Sequence, residues 1–322
     1  MTDIIAADIG GTNARFARAR LNERGDPTLG KVRKYKVADF PNLQAAWAKF
    51  AHDEGGDLPN SASIAFATAI GRDVIKLTNS SWTIRPDTLD EELGLTHMRL
   101  VNDFEAVGHA VAHLPKDNLP LLFGEDRPFP RDGGVTVMGP GTGLGVAMIA
   151  YDDGDPHVIA TEGGHIDFAA LDPLEEKILD HLRAKFLRVS VERVVSGPGL
   201  NNIYQAMATI RRERVLMMED ADLWQAAIAN EEPLARAALE RFFLCYGAVA
   251  GDLALAHGPH GLVLAGGLTQ RVRDLLVKSG FLGRFTAKGR YQDLMKTVPI
   301  RLAVHEEVGL FGAAAAFRER KK

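Results

Sequence analysis

Apolar and polar positions along the chain alternate between strand-like and helix-like spacing. Asp3–Ile9 (DIIAADI) is a short apolar run, followed by Gly10-Gly11-Thr12 and then Asn13–Ala19 (NARFARA). This predicts two strands bent at a glycine turn. Lys31–Val37 alternates as a third strand, and Leu43, Ala46, Trp47 and Phe50 recur at helical spacing. Ser63–Ala67, Val74–Leu77 and Met98–Val101 have strand character. Asn102-Asp103 ends the last of these and leads into a helical run, Phe104–Leu114.

A looser, proline-rich stretch from Pro115 to Pro130 predicts a crossing between two lobes. Beyond it the opening pattern returns: Gly134–Met138, a glycine loop, Gly145–Tyr151, and a third strand at His157–Ala160. Helices are expected over Leu174–Phe186, Gly199–Arg211, Ala221–Asn230 and Leu234–His257. In the last of these Leu234, Ala238, Phe242, Cys245, Val249 and Leu253 share one face. Gly247 and Gly251, four apart, predict a close packing contact. The chain then reads as a strand (Gly261–Ala265), a Gly266-Gly267 turn, a helix (Leu268–Val277), a strand (Ile300–Val304) and a helix (Leu310–Arg318).

Length and composition narrow the class. The 322 residues suit two lobes of ~150 residues each. With 46% hydrophobic and 25% charged residues, the composition is that of a globular protein. A net charge of −4 offers no basic field for nucleic acid or an anionic membrane. The single cysteine, Cys245, rules out an intrachain disulfide and a cysteine-rich zinc site, and it fits a reducing compartment. No signal-peptide pattern and no membrane-length apolar run is present, so the expectation is a cytoplasmic protein with no nucleic-acid or membrane partner.

Candidate chemistry begins with a repeated phrase. DIGGTNARFA (Asp8–Ala17) laid over MGPGTGLGVA (Met138–Ala147) sets Gly11-Thr12 on Gly141-Thr142 and Ala17 on Ala147. Each phrase separates the first two strands of a half-chain, which points to two similar α/β units facing each other. Glycine-rich hairpins expose backbone N–H groups to a polyanion, and a threonine hydroxyl adds a donor. Taken singly, either phrase is as readily a plain turn that needs glycine. The pairing favours phosphate. A dinucleotide fingerprint should enter a helix, whereas Val146-Ala147-Met148-Ile149 continues as a strand, and neither loop carries Gly-Lys-Ser/Thr.

Four polar pieces complete the candidate site. Asn102-Asp103 stands at a strand's carboxyl end, where α/β proteins bind ligands, although Asp103 would also serve as a helix N-cap. An amide beside a carboxylate both donates and accepts, which suits sugar hydroxyls. Glu162-Gly163-Gly164-His165 allows an acid and an imidazole to turn toward one point; with no second histidine nearby and no HExxH, a metal site is disfavoured. Glu192 is read either as a first-turn acid or as a site carboxylate. Asp8, unusual in so apolar a strand, would stand beside phosphate and could orient Mg2+ or its waters. These residues describe a phosphate site ringed by polar groups and leave the substrate unnamed.

In chain order, ADIGGTNARFA, LTNSSW, VNDFEAVGHA, GPGTGLGVA, TEGGHIDFA, ERVVSGPGLNNIYQA, LAGG and GLFGAAAAF resemble the motifs of bacterial glucokinases, from about Asp3 to Phe317. TEGGHIDFA with ERVVSGPGL is the most specific part. Related zinc-containing sugar kinases carry a cysteine cluster that this chain lacks. The resemblance implies a two-lobed actin-like ATPase (ribonuclease H-like) α/β fold with a duplicated βββαβαβα core and a cleft between lobes. It implies a smaller domain of residues 1–113 plus 305–322, a larger one of 114–304, and a homodimer. It assigns glucose binding to Asn102, Asp103, Glu162, His165 and Glu192, with Asp103 as catalytic base. ATP falls to Ala7, Asp8, Ile9, Gly10, Gly11 and Thr12, to Gly139, Gly141, Thr142 and Gly143, and to Gly266 and Gly267. Mg2+ falls to Asp8 through water. The chain departs from the family at Ala67-Thr68-Ala69-Ile70-Gly71, where relatives carry a Pro-Ile-Gly phrase, and at Pro140 inside the second loop.

The activity so implied is transfer of the γ-phosphoryl group of ATP to the 6-hydroxyl of glucose, the entry to glycolysis. Asp103 is expected to act as an ordinary low-pKa carboxylate, and lobe closure to exclude water. The alternatives are a kinase for mannose, fructose or glucosamine, or a non-sugar ATPase of the actin or Hsp70 kind.

Overall fold

In the computed structural model, which describes residues 1–68, 73–77 and 80–317, strands and helices follow in this order. First come β1 (Thr2–Ile9), β2 (Asn13–Leu21), β3 (Pro27–Leu29), β4 (Arg33–Lys36), α1 (Leu43–Asp53) and β5 (Ser61–Phe66). Next are β6 (Ile75–Lys76), β7 (Thr83–Ile84), α2 (Leu89–Leu93), β8 (His97–Asn102) and α3 (Asp103–His113). The chain continues with β9 (Leu121–Phe123), β10 (Gly133–Pro140), β11 (Leu144–Asp152), β12 (Asp155–Thr161), α4 (Pro173–Phe186), α5 (Gly197–Arg211) and α6 (Asp220–Ala229). It ends with α7 (Pro233–His257), β13 (Gly261–Leu264), α8 (Gly267–Leu276), α9 (Phe281–Thr286), α10 (Gln292–Thr297), β14 (Ile300–Leu302) and α11 (Val308–Ala315). They divide into two compact units, Met1–Pro115 with His305–Lys322, and Lys116–Val304.

The first unit is built on a mixed sheet of order β3-β2-β1-β5-β8, with β4 also paired to β2. β1 is antiparallel to β2 and parallel to β5, which is parallel to β8. The period of two along β1 sorts its side chains onto two faces. Ile5, Ala7 and Ile9 join Phe16, Trp47 and Phe50 in one core, while Ile4 and Ala6 join Leu310 and Ala314 in another. Asp8 therefore shares the second face, the side on which α11 lies.

The second unit has a mixed sheet of order β12-β11-β10-β13-β14-β9, with β10, β13 and β14 parallel and β11 and β12 antiparallel. Its helical core gathers Leu200, Phe242, Tyr246 and Phe281 with Met138, Leu262 and Leu264 from the strands. Gly247 and Gly251 of α7 lie against the Phe281 and Phe285 carbonyls of α9, which is the close contact their spacing predicts.

Several elements differ from the sequence reading. The Pro115–Pro130 stretch is not only a crossing: it carries β9, antiparallel to β14 at the sheet edge. Val74–Leu77 contributes β6, which pairs with β7 in a separate hairpin. The elements β3, α2, α9 and α10 are too short to leave a periodic signal. The Ala69-Ile70-Gly71 part of the divergent phrase, Thr78-Asn79 of LTNSSW, and Arg318 at the end of the last expected helix lie outside the described residues. Among the described residues, no helix is long and apolar enough to cross a membrane.

Candidate active site

In the first unit the site grows from the end of one strand and the start of one helix. Asn102 closes β8 and is the N-cap of α3, its Oδ1 accepting the Phe104 and Glu105 amides at 2.8 and 3.3 Å. The Glu105 carboxylate returns to the Asn102 N–H, completing a capping box. Asp103 is thus not the cap the sequence allowed for; it is the first helical residue, its Oδ1 accepting the Phe104 amide at 2.9 Å. Asn102 Nδ2 donates to the Thr68 carbonyl at 3.0 Å, which leaves one of its two amide hydrogens for a ligand.

Asp8 reaches Arg15 Nη1 at 3.0 Å, directly across the β1–β2 hairpin, and Arg15 Nε reaches Glu307 Oε2 at 3.2 Å. A Cβ at Gly309, in the first turn of α11, would stand 3.0 Å from Asp8 Oδ2. Burial raises the Asp8 pKa, Arg15 opposes that rise, and Glu307 adds to it. Asp103 is pushed up to about 6, first by burial and also by the Asp8 charge, while the Phe104 amide and Asn102 pull the other way. It is accordingly not the ordinary low-pKa carboxylate expected from sequence. A carboxyl poised there accepts a proton near neutral pH more strongly than a typical aspartate.

The second unit centres on the base of its glycine hairpin, the Pro140–Leu144 pair. Gly141 N–H donates to the Gly143 carbonyl at 2.8 Å, so its amide faces β11. By alternation the missing N–H of Pro140 falls on the β13 side, at the next donor position after the Met138–Leu264 pair. Proline there ends the β10–β13 ladder, because it has no N–H to offer the Ala265 carbonyl after the Ala265 amide has donated to the Met138 carbonyl at 2.9 Å. The strand-to-strand loop holds three residues, Gly141–Gly143, where the first hairpin holds four between Ile9 and Ala14. The ungapped overlay of the two phrases therefore slips by one residue after the threonine.

Three sequence-predicted pieces meet at this hairpin. Glu192, in a short turn before α5, accepts the Leu144 amide at 2.9 Å, and any side chain at Gly143 would overlap its carboxylate. Glu162 and His165 stand on a tight turn with Oε2 and Nε2 4.0 Å apart, both largely exposed. The two glycines between them are buried, and a side chain at Gly164 would strike the Leu144 carbonyl. On the other side Gly266, at φ 89°, opens α8 next to the Pro140 carbonyl. The first helical residue, Gly267, has open space where a side chain would be.

Beside the loop lies a pocket of about 350 Å3 that sequence reasoning missed. Gly141 and Thr142 form one wall; Gly197, Pro198, Asp220, Trp224, Leu268 and Arg271 contribute the others. The Gly197 amide donates to the Gly141 carbonyl at 2.7 Å, joining the start of α5 to the hairpin. Nothing local marks Asp220 and Trp224 of α6 or Arg271 of α8, which meet only in the folded chain. Arg15 was legible, because a hairpin turning at Gly10–Asn13 puts it opposite Asp8.

Comparison with known proteins places the whole chain in one family. The family model described as Glucokinase matches residues 5–320. A glucokinase of Zymomonas mobilis is 47% identical over 318 residues, covering 99% of this chain and 98% of its own. A glucokinase of Salmonella typhi is 37% identical over 98% of this chain and 97% of its own. The crystal structure of a glucokinase from an Antarctic psychrotroph superposes with a TM-score of 0.87 at 32% identity, over 98% of each chain. The chain belongs to the glucokinase family.

Proposed function

We infer that the chain transfers the γ-phosphoryl group of ATP to the 6-hydroxyl of glucose, giving glucose 6-phosphate and ADP. The observation that carries this reading is the full-length relation to glucokinases, 47% identity over 318 residues in one case. The raised pKa of Asp103 supports the residue-level account.

Asp103 takes the proton of the 6-hydroxyl as that oxygen attacks the γ-phosphorus, and ADP leaves with the electrons of the broken P–O bond. A loose phosphoryl transition state needs positioning and charge neutralisation more than covalent help. Asn102 donates its remaining amide hydrogen to a sugar hydroxyl, and the Glu162 carboxylate and His165 ring pair with others. Glu192 contributes a carboxylate that is already tied to the hairpin. The phosphates rest on the backbone amides of Gly11 and Thr12 and of Thr142 and Gly143, with Ala7, Asp8, Ile9, Gly10, Gly139 and Gly141 supporting those turns, the Gly10 and Gly141 amides closing them. The nucleoside part lies toward Gly266-Gly267 and the adjoining pocket.

Magnesium fits this donor set in one way. Among the described residues no group of three or more His, Cys, Asp or Glu side chains could cage a metal. Mg2+ commonly keeps its waters and uses one or two carboxylates with substrate phosphates. Asp8, the carboxylate of the first hairpin strand, would hold it through water, and the ion would supply neutralisation of the phosphate oxygens.

The remaining parts of the reading rest on family resemblance and sheet order. We take the core to be duplicated, because both sheets place an antiparallel second strand beside the first and parallel strands on its other side. A cytoplasmic setting fits the single cysteine, and a homodimer follows from the family resemblance alone. The test of Asp103 is substitution with asparagine. Glucose should still bind by calorimetry while turnover collapses; near-normal turnover contradicts the role.

A further inference from the structure

The pocket beside the second hairpin holds two charged side chains that nothing in the glucose chemistry uses. Asp220, the first residue of α6, receives a hydrogen bond from Asn201 Nδ2 at 2.9 Å on its Oδ1. Asn201 in turn accepts from Gln205 Nε2 at 3.0 Å, so two amides of α5 hold the Asp220 carboxylate in one orientation. Its Oδ2 has no partner among the described residues. Trp224, one turn on, donates its Nε1–H to the Gly197 carbonyl at 2.8 Å and fixes α6 to the start of α5. Arg271 lies over the Trp224 ring at 5.7 Å and forms no ion pair among the described residues.

We propose that Asp220 is a specificity-determining residue that accepts hydrogen bonds from the ribose 2′- and 3′-hydroxyls of the nucleotide. This rests on the reading of the hairpin as a phosphate site. The charges orient the ligand. A fixed carboxylate repels a polyphosphate, which goes to the hairpin side of the pocket, where Thr142 offers its amide and hydroxyl. What reaches Asp220 is the uncharged part of the nucleotide, and its hydrogen-bond donors are the ribose hydroxyls and an exocyclic amine. A carboxylate with a free oxygen accepts from a vicinal diol at two points, whereas the amine offers a single contact. The base then occupies the apolar stretch between Leu268 and the Arg271 guanidinium, which presents a flat cationic face to a π-system. A carboxylate needed only to start α6 would require no amide relay to orient it.

The experiment is equilibrium titration of the full chain, in Mg2+ buffer, with ADP, 2′-deoxy-ADP, 2′,3′-dideoxy-ADP and IDP, for the wild type and Asp220→Ala. Wild type should bind ADP about tenfold more tightly than 2′-deoxy-ADP and about a hundredfold more tightly than the dideoxy analogue, one hydrogen bond to a charged group being lost in the first and two in the second. In the Asp220→Ala protein both ratios should fall to near one, while the ADP-to-IDP ratio stays as in wild type. An unchanged dideoxy ratio in the variant, or a loss confined to the ADP-to-IDP ratio, overturns the proposal. Should Asp220→Ala fold poorly, Asp220→Asn keeps the side-chain shape and should show a partial fall. An ADP-to-dideoxy ratio of one in the wild type alone also contradicts it. Because the readout is nucleotide binding, a protein that failed to phosphorylate glucose would be recognised separately.

Discussion

Glu192 Oε2 accepts the backbone N–H of Leu144 at 2.9 Å, so one carboxylate both belongs to the proposed sugar site and anchors the glycine hairpin. Leu144 is almost wholly buried, and its amide has no water to turn to if that partner is lost. Glu192→Ala should therefore raise the KM for glucose and for ATP together, each by about tenfold. Glu192→Gln keeps an acceptor for the amide and should raise the glucose KM while leaving the ATP KM near wild type. Steady-state kinetics with each substrate varied decides it. Equal ATP KM values in the two variants would mean that the hairpin does not depend on this bond.

Asp103 gives opposite effects on stability and rate. Its carboxyl stands at about 6 against an ordinary value of 3.8, so the folded chain keeps the proton to higher pH than the unfolded chain. Ionising it costs stability, and the cost builds from near pH 3.8 to pH 6 and is complete above. Turnover needs the ionised form and should fall about tenfold per unit on the acid side of pH 6. Asp103→Asn should lower kcat by about 10²-fold or more, yet raise Tm at pH 8 and leave it nearly unchanged at pH 4. A variant that loses stability at pH 8 would contradict the assigned environment.

The sequence carried the longer strands, the long helices and the chemical types of the candidate site residues, because each follows from local period or a local motif. The apolar run at β1 marks a doubly covered strand, and the glycines of TEGGH mark a turn that must lie against another backbone. Most of what it did not carry arises from side chains far apart in sequence. That Asn102 caps the helix and frees Asp103 depends on φ/ψ at the junction. That Glu192 ties down the hairpin depends on a bond across 48 residues. The raised pKa of Asp103 depends on burial and on Asp8, neither of which has a sequence pattern. The pocket around Asp220, Trp224 and Arg271 is assembled from helix ends and was invisible for the same reason. β9 is three residues long and exists because β14 offers it an edge.

A buried charge network in the second unit makes a separate stability prediction. Glu175 of α4 is 1% exposed and is met by Arg241 Nη1 at 2.8 Å and Arg284 Nη2 at 3.2 Å, with Asp172 bound to the same two arginines. The Cys245 thiol lies beside Glu175 and, pushed up by burial, stays protonated. Arg241→Leu leaves Glu175 undercompensated away from water and should cost about 3–5 kcal/mol by urea titration. The paired change Arg241→Leu with Glu175→Leu should recover much of that loss. A single variant as stable as wild type would show that Arg284 alone suffices.

The central claim is tested most directly by measuring ADP release with MgATP across glucose, mannose, fructose and glucosamine, with identification of the phosphorylated product. The account predicts ADP formation that depends on glucose and yields glucose 6-phosphate one-for-one, with little ADP when no sugar is present. ADP release that ignores glucose, or that is faster with another sugar of the panel, would contradict it.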